Sequence, residues 1–221
     1  MPAFPYRLVT VDIDGTLTAG HGWRYLAERR GRLPAYYQTQ SDFTAGRSDE
    51  NVHLRHLLDL ASGASRRELD DIVRHTPRVP GIRSGVARLH ASGAKVALLT
   101  HNPAYICDWY REAFGFDASD GIRFAPKFHA GLAQPPDDRV VVDKIGGARR
   151  LAARFGVRLG QVAHVGDGVA DAEAFPTVGL GVAFGATEAK VRAAADLIVK
   201  DRDFRAVVAA LARTPPARPE L

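Results

Sequence analysis

Cysteine is all but missing from this chain: Cys107 is the single one in 221 residues. That excludes a disulfide framework within the chain and a cysteine-rich metal site. On a stretch of helical period, Cys107 reads as a small apolar packing residue. Lysine is scarce as well. Of 30 basic residues five are lysines (Lys95, Lys127, Lys144, Lys190 and Lys200), leaving 25 arginines. The net charge is +5 and the pI about 9.6, but the arginines are dispersed and no basic run interleaves with aromatics. Such a pattern gives solvated faces, not a nucleic-acid groove. A mildly positive surface still helps attract a phosphorylated small molecule. No run of about 18 consecutive apolar residues occurs, so no membrane span is expected. The start Met1-Pro2-Ala3-Phe4-Pro5 lacks the charged-then-apolar pattern of a secretory signal. The expectation is a cytoplasmic monomer or homodimer with neither nucleic acid nor membrane as partner.

Hydrophobic residues make up 46% of the chain and charged residues 25%, which suits one sizeable core with room for an insert. The apolar run from Arg7 to Ile13 ends in a glycine turn and reads as a buried strand. Residues 22–30, 33–40, 48–60 and 65–74 instead have helical spacing, the last behind the capping-box pattern Ser65-Arg66-Arg67-Glu68. Thr76-Pro77-Arg78-Val79-Pro80-Gly81 breaks the chain like a hinge. Strands and helices then alternate. Helices are expected at 82–91, 103–114 (with Pro103 in the first turn), 144–155, 171–175, 187–195 and 204–211. Strands are expected at 95–100, 161–165, 178–182 and 197–199. Residues 121–140 suit a loop or small hairpin, and the proline-rich tail 214–221 suits a frayed end. The predicted fold is a doubly wound parallel α/β core, residues 1–17 and 78–221, with an all-helical insert at 18–77.

Open parallel sheets bind ligands beyond the carboxyl ends of their strands, and four polar clusters fall there. In Asp12-Ile13-Asp14-Gly15-Thr16, two carboxylates leave the first strand as an i, i+2 pair able to share one rim. One can attack phosphorus, the other can move protons. Thr100 ends the second strand ahead of a helix N-terminus, a phosphate-cradling position that equally suits an N-cap. Lys144 opens a helix after Asp143, where its ammonium can neutralise a phosphoryl group. Gly166-Asp167-Gly168-Val169-Ala170-Asp171 follows the third strand, and its hard carboxylate oxygens suit Mg²⁺. A dianionic phosphate beside these carboxylates needs such cations to enter at all.

In order and spacing the four clusters resemble the haloacid dehalogenase superfamily, in particular the phosphoserine-phosphatase-like branch with its helical cap inserted after the first motif. That resemblance implies Asp12 as nucleophile and Asp14 as general acid and base. It implies Mg²⁺ held by the Asp12 carboxylate, the Asp14 carbonyl and Asp167. Thr100 and Lys144 would bind phosphate, Asp171 would order a metal-bound water or Lys144, and Thr16 would orient Asp14. The implied activity is Mg²⁺-dependent hydrolysis of a small phosphorylated metabolite. A phosphotransferase or mutase, or a non-catalytic phosphate-binding module, remains an alternative.

Three features, at four positions, depart from that branch. Its serine-reading Glu is here His21, nine residues after Asp12; Gly-Gly after the second-motif hydroxyl is here His101-Asn102; and Ala170 replaces an Asn. The departures point away from phosphoserine and place specificity on the cap, with His21, Trp23, Arg24, Tyr36, Tyr37, Arg47 and Arg55 as candidates. Arginine there can hold a second anionic group. His53 and His56 share a helix face but lack a third ligand for a metal.

Overall fold

The computed structural model describes residues 4–122, 128–134 and 143–221. Its strands are β1 (Leu8–Val11), β2 (Lys95–Pro103), β3 (Ala118–Ile122), β4 (Phe128–His129), β5 (Leu132–Ala133), β6 (Val162–Gly166), β7 (Leu180–Phe184) and β8 (Leu197–Val199). Helices α1 (Gly22–Arg29), α2 (Leu33–Thr44), α3 (Glu50–Asp59) and α4 (Arg66–His75) all fall between β1 and β2. They are followed by α5 (Ile82–Ala91), α6 (Ala104–Phe114), α7 (Lys144–Phe155), α8 (Val169–Ala174), α9 (Ala189–Ala194) and α10 (Phe204–Leu211).

All four residues of β1 are buried, as expected of a strand covered on both faces. Six strands run parallel in the order β3-β2-β1-β6-β7-β8. The chain therefore winds outward from β1 in both directions, and the reversal places the ends of β1, β2 and β6 side by side. Side-chain alternation sorts the faces. Leu8 packs with Leu99, Ala148 and Leu151 beneath α7, whereas Val9 and Val11 pack with Val86, Leu89 and Val207 beneath α5 and α10. Thr10 has the phase of Leu8. Continued one step past the strand, that phase sends Asp12 toward the start of α7.

Helices α1–α4 bury Trp23, Leu26, Leu54, Leu57, Leu69 and Ile72. Two connections join them to the sheet, and these zip together: Ala19 N–H donates to Pro77 O at 2.8 Å and Val79 N–H to Leu17 O at 3.0 Å. Arg78 sits over the Trp109 ring, 4.2 Å from its centroid, and caps α4 through Arg74 O and Val73 O. Half of the expected capping box forms. Ser65 Oγ accepts from Glu68 N–H at 3.2 Å, but the Glu68 carboxylate turns to Arg30 Nε at 3.0 Å.

Several sequence expectations are corrected. Strand β2 runs past Thr100 to Pro103, whose ψ of 157° makes it the N-cap of α6 and not part of its first turn. Strand β3, in Ala118-Ser-Asp-Gly-Ile, was not anticipated; it is a short, polar edge strand, so no apolar run announces it. Of the two readings open for 121–140, a loop or a small hairpin, the described part forms the hairpin β4–β5. It bonds to the α3–α4 connection through Gly63 N–H on Ala133 O at 2.7 Å and Ala133 N–H on Ala64 O at 2.8 Å. The rest of that stretch, 123–127 and 135–140, lies outside the described residues, as do residues 1–3. The tail is docked, not frayed. Arg218 donates to Val178 O at 2.9 Å, to Phe175 O at 2.9 Å and to the Asp196 carboxylate at 2.5 and 3.0 Å. Backbone carbonyls of the segment leading into β7 thereby gain a charged donor.

Candidate active site

The turn after β1 is held from several sides. Leu17 N–H donates to Ile13 O at 2.8 Å and Gly15 N–H to Thr18 Oγ1 at 2.9 Å. Arg202, from beyond β8, donates to Gly15 O at 2.7 Å and Thr18 O at 3.0 Å. Gly15 itself has φ +75°, and a Cβ there would stand 2.1 Å from Asp167 Oδ2. Both the backbone conformation and the approach of that carboxylate therefore require glycine.

Asp12 lies just past β1, buried, with Lys144 Nζ 3.1 Å from Oδ1. Burial raises its carboxyl to about 6; Lys144 opposes the shift, Asp171 adds to it and the Thr100 hydroxyl opposes it. Lys144 also donates to Asp171 Oδ1 at 2.5 Å. Burial works against the ammonium, but the two carboxylates win and hold its pKa above the usual lysine value. Asp14 has both oxygens engaged, Oδ1 by Gly22 N–H at 2.7 Å and Oδ2 by Asn102 Nδ2 at 3.0 Å. The same Asn102 amide reaches Thr100 Oγ1 at 3.0 Å. It thus ties the second carboxylate to the buried hydroxyl beside Asp12. A small apolar cavity of about 30 Å³ opens next to Asp14, lined by Trp23, Leu26, Ile106 and Tyr110.

Asp12, Asp167 and Asp171 bring ligand oxygens within 4.8 Å of one another. Asp171 is saturated: Oδ1 takes Lys144 and His164, the latter at 2.8 Å, and Oδ2 takes the N–H groups of Asp167 and Gly168 at 3.2 and 3.0 Å. Those donors, against the cost of burial, keep its carboxyl below the usual range. Asp167 is the opposite case. Burial, then the charges of Asp12 and Asp171, push it up to about 8, with the Thr16 hydroxyl opposing. A divalent cation between Asp12 and Asp167 would offset both rises by neutralising the neighbouring carboxylate charges, so this oxygen donor set fits a hard metal ion.

The family model of haloacid dehalogenase-like hydrolases matches residues 6–179, a span holding every carboxylate just described. The chain belongs to this family. Phosphoserine phosphatase SerB2 of Mycobacterium tuberculosis is 27% identical over 188 residues, 83% of this chain and 45% of that protein. The phosphoserine phosphatase of Lactococcus lactis is 26% identical over 204 residues, 91% of this chain and 93% of that protein. The chain thus spans less than half the length of the mycobacterial relative. A HAD-family hydrolase of Salmonella enterica serovar Typhi superposes with a TM-score of 0.84 at 18% identity, over 95% of this chain and 72% of that one. A phosphoserine phosphatase solved as a phospho-aspartyl intermediate analogue superposes with a TM-score of 0.78 at 20% identity, over 93% and 98%. At these identities the structures establish the shared haloacid dehalogenase-like fold, as the four motifs predicted.

The structure brings Asp12, Asp14, Thr16, Thr100, Lys144, Asp167 and Asp171 to one rim. Thr16 is corrected in its contact: its hydroxyl donates to Asp167 Oδ1 at 2.7 Å, not to Asp14, because the turn carries it toward β6 while Asp14 faces α1. Among the specificity candidates, Trp23 and Tyr36 are buried. Arg24 and Arg47 are exposed and engaged locally: Arg24 donates to the Tyr37 hydroxyl at 3.3 Å, and Arg47 pairs with Asp42 at 2.7 Å. His21 is exposed at the N-cap of α1 without a side-chain capping bond, and Arg55 is half-buried on α3. Sequence reasoning missed Asn102 as a contact, and it missed His164, Arg202 and Glu50. Glu50, the first residue of α3, places Oε1 3.3 Å from His101 Nδ1 across the cleft. Burial, then Lys144, pull the His101 imidazole down to about 3, so it is neutral.

Proposed function

We propose that this chain is a Mg²⁺-dependent phosphatase that hydrolyses a small-molecule phosphate monoester through an aspartyl-phosphate on Asp12. The observation that carries it is the buried Asp12 carboxylate, 3.1 Å from Lys144 Nζ, with Thr100 beside it and Asp14 on the same rim. An Asp12 oxygen attacks phosphorus in line, and the bond from phosphorus to the ester oxygen breaks. Asp14 gives that oxygen a proton as it leaves into the cleft beneath α1–α4. Asp14 then takes a proton from water, whose oxygen displaces Asp12 from phosphorus and releases inorganic phosphate. Thr100 and Lys144 hold the non-bridging oxygens throughout. The Asp12 carboxylate, the Asp14 carbonyl and Asp167 would hold Mg²⁺, which supplies charge neutralisation at the phosphoryl group. Asn102 restrains Asp14 between turns.

In this reading α1–α4 act as the specificity cap over residues 18–77. The named relatives act on phosphoserine, but exposed His21 stands at the serine-reading position, so a different small phosphorylated metabolite is the expected substrate. The test is a panel of phosphate monoesters, phosphoserine and p-nitrophenyl phosphate included, assayed with Mg²⁺ against Asp12→Asn. Turnover should fall by at least about 10³-fold while the thermal midpoint holds. Persistent hydrolysis in a folded Asp12→Asn protein would remove Asp12 as nucleophile.

A further inference from the structure

His164 sits in the middle of β6 with no solvent exposure, and the chemistry above gives it no task. A buried imidazole is costly unless both nitrogens find partners. Here both do. Nδ1 lies 3.0 Å from Thr10 Oγ1 on the neighbouring strand, and Nε2 lies 2.8 Å from Asp171 Oδ1. Thr10 and His164 are direct partners in the β1–β6 register, so the sheet itself fixes their separation. An ionised carboxylate only accepts hydrogen bonds. Asp171 is held ionised by Lys144 and its other donors, so Nε2 carries the proton whatever the state of Nδ1.

The receiving atom is the informative one. Asp171 Oδ1 is also the oxygen to which Lys144 Nζ is tied at 2.5 Å. Its other oxygen is fixed by two backbone N–H groups at the start of α8. With His164 in place Oδ1 has two donors in fixed directions, and the ammonium leans toward Asp171 and away from Asp12, at 2.5 Å against 3.1 Å. Without His164, Oδ1 would be held by the flexible lysine alone. Lys144 would then be free to close on Asp12, masking the attacking oxygen and moving off the phosphate.

We propose that His164 is a positioning residue for Lys144, acting through Asp171, with Thr10 holding the plane of its ring. The proposal rests on the reading of Lys144 as the cation that receives phosphate. A ring that merely fills space would be replaced best by an apolar side chain. A positioning ring would be replaced best by one that returns an N–H donor near Nε2.

The test compares His164→Gln, which can place an amide N–H there, with His164→Leu, which keeps apolar volume. The readouts are kcat and KM for p-nitrophenyl phosphate with Mg²⁺, and the Kd of inorganic phosphate by calorimetry, a readout that needs no turnover. In His164→Leu, kcat/KM should fall roughly 10- to 100-fold and phosphate should bind about 10-fold more weakly, as expected for losing one charge-assisted hydrogen bond. His164→Gln should recover both to within about 3-fold of the parent. Unchanged values in Leu, or equal losses in Leu and Gln, overturn the proposal. Should His164→Leu fail to fold, Thr10→Val decides, because it is nearly isosteric: phosphate affinity should weaken by about 3-fold, and no change overturns the proposal. Failure of the phosphatase reading looks different. There the parent protein hydrolyses no ester on the panel, while the effect of His164→Leu on phosphate affinity stands or falls independently.

Discussion

The rim of the parallel sheet and the four helices above it face the same cleft, but their side chains are fixed by different means. On the rim, strand alternation and tight turns dictate direction. Asp12 follows the phase of Leu8 and Thr10, and Gly15 and Gly166 vacate the space that Asp167 and Asp171 occupy; a Cβ at Gly166 would meet the Asp171 carboxylate at 2.0 Å. In α1–α4, direction depends on how each helix is rotated against its neighbours. Arg24 and Arg47 satisfy themselves locally at the surface, whereas Glu50 turns inward to His101. In the proposed reading, chemistry is therefore concentrated in an interlocked buried network, and recognition is spread over a more solvent-exposed one. Substitutions should cost most where buried charges interlock and least where an arginine already has a solvent-exposed partner.

The sharpest way to break the comparison is Lys144→Met. This change removes the buried cation that, among the described residues, lies between Asp12 and Asp171, while keeping an unbranched stem. Two buried carboxylates then lose their counter-ion, and a stability loss of about 3–5 kcal/mol is expected in urea denaturation. Activity should fall by roughly 10²–10³-fold. A loss no larger than that from an exposed arginine would mean that the rim is as soft as the helices.

The rim should also betray itself through protons. Asp167 is raised from 3.8 to about 8 in the metal-free protein, so the folded state keeps a proton that the unfolded chain has released. Between about pH 4 and pH 8 folding therefore binds protons, and metal-free stability should fall as pH rises through this window. The raised Asp12, at about 6, acts in the same direction. Mg²⁺ held by Asp167 as proposed would displace the retained proton. Calorimetry in buffers of different ionisation enthalpy should show close to one proton released per ion at pH 7 and almost none at pH 9. No proton release at pH 7 would place the metal away from Asp167.

This interlocking also explains what the sequence made legible. Asp12, Asp14, Thr100, Lys144, Asp167 and Asp171 occur in short stretches where chemistry and turn geometry coincide, so their places at strand ends, together with the family resemblance, put them on one rim. The sheet was equally readable wherever apolar runs mark buried strands, as in β1, β6 and β8. Partnerships made across the fold were not. Arg202 reaches the first turn from 187 residues away. His164 looks like any apolar-strand interruption until the β1–β6 register puts Thr10 opposite it. Arg218 secures a tail whose prolines suggested fraying. Strand β3 carries Asp120 and Gly121 and has no apolar pattern, because it lies at an edge. Thr16 shows the limit within a motif: its spacing gave its place but not its partner, since the turn sends it to Asp167.

The smallest expected effects lie in α1–α4, and they test whether softness there is uniform. Arg24 and Arg47 are exposed and paired locally, and exposed pairs contribute little. Changing either to Ala should alter kcat/KM by less than about two-fold for any ester on the panel. Glu50 differs because it bridges from α3 to His101 and is half-withdrawn from water; burial, then Glu173, raise its carboxyl above the ordinary value. Glu50→Gln keeps the shape and removes the charge. It should shift KM by about three- to ten-fold while leaving kcat for p-nitrophenyl phosphate within about two-fold, since a neutral imidazole partner can still accept from or donate to the amide. The comparison then sharpens to a single residue: recognition in these helices would enter through Glu50, where the cap touches β2, and not through its arginines. Equal effects for Glu50→Gln and Arg47→Ala would return the whole helical layer to the status of a cover.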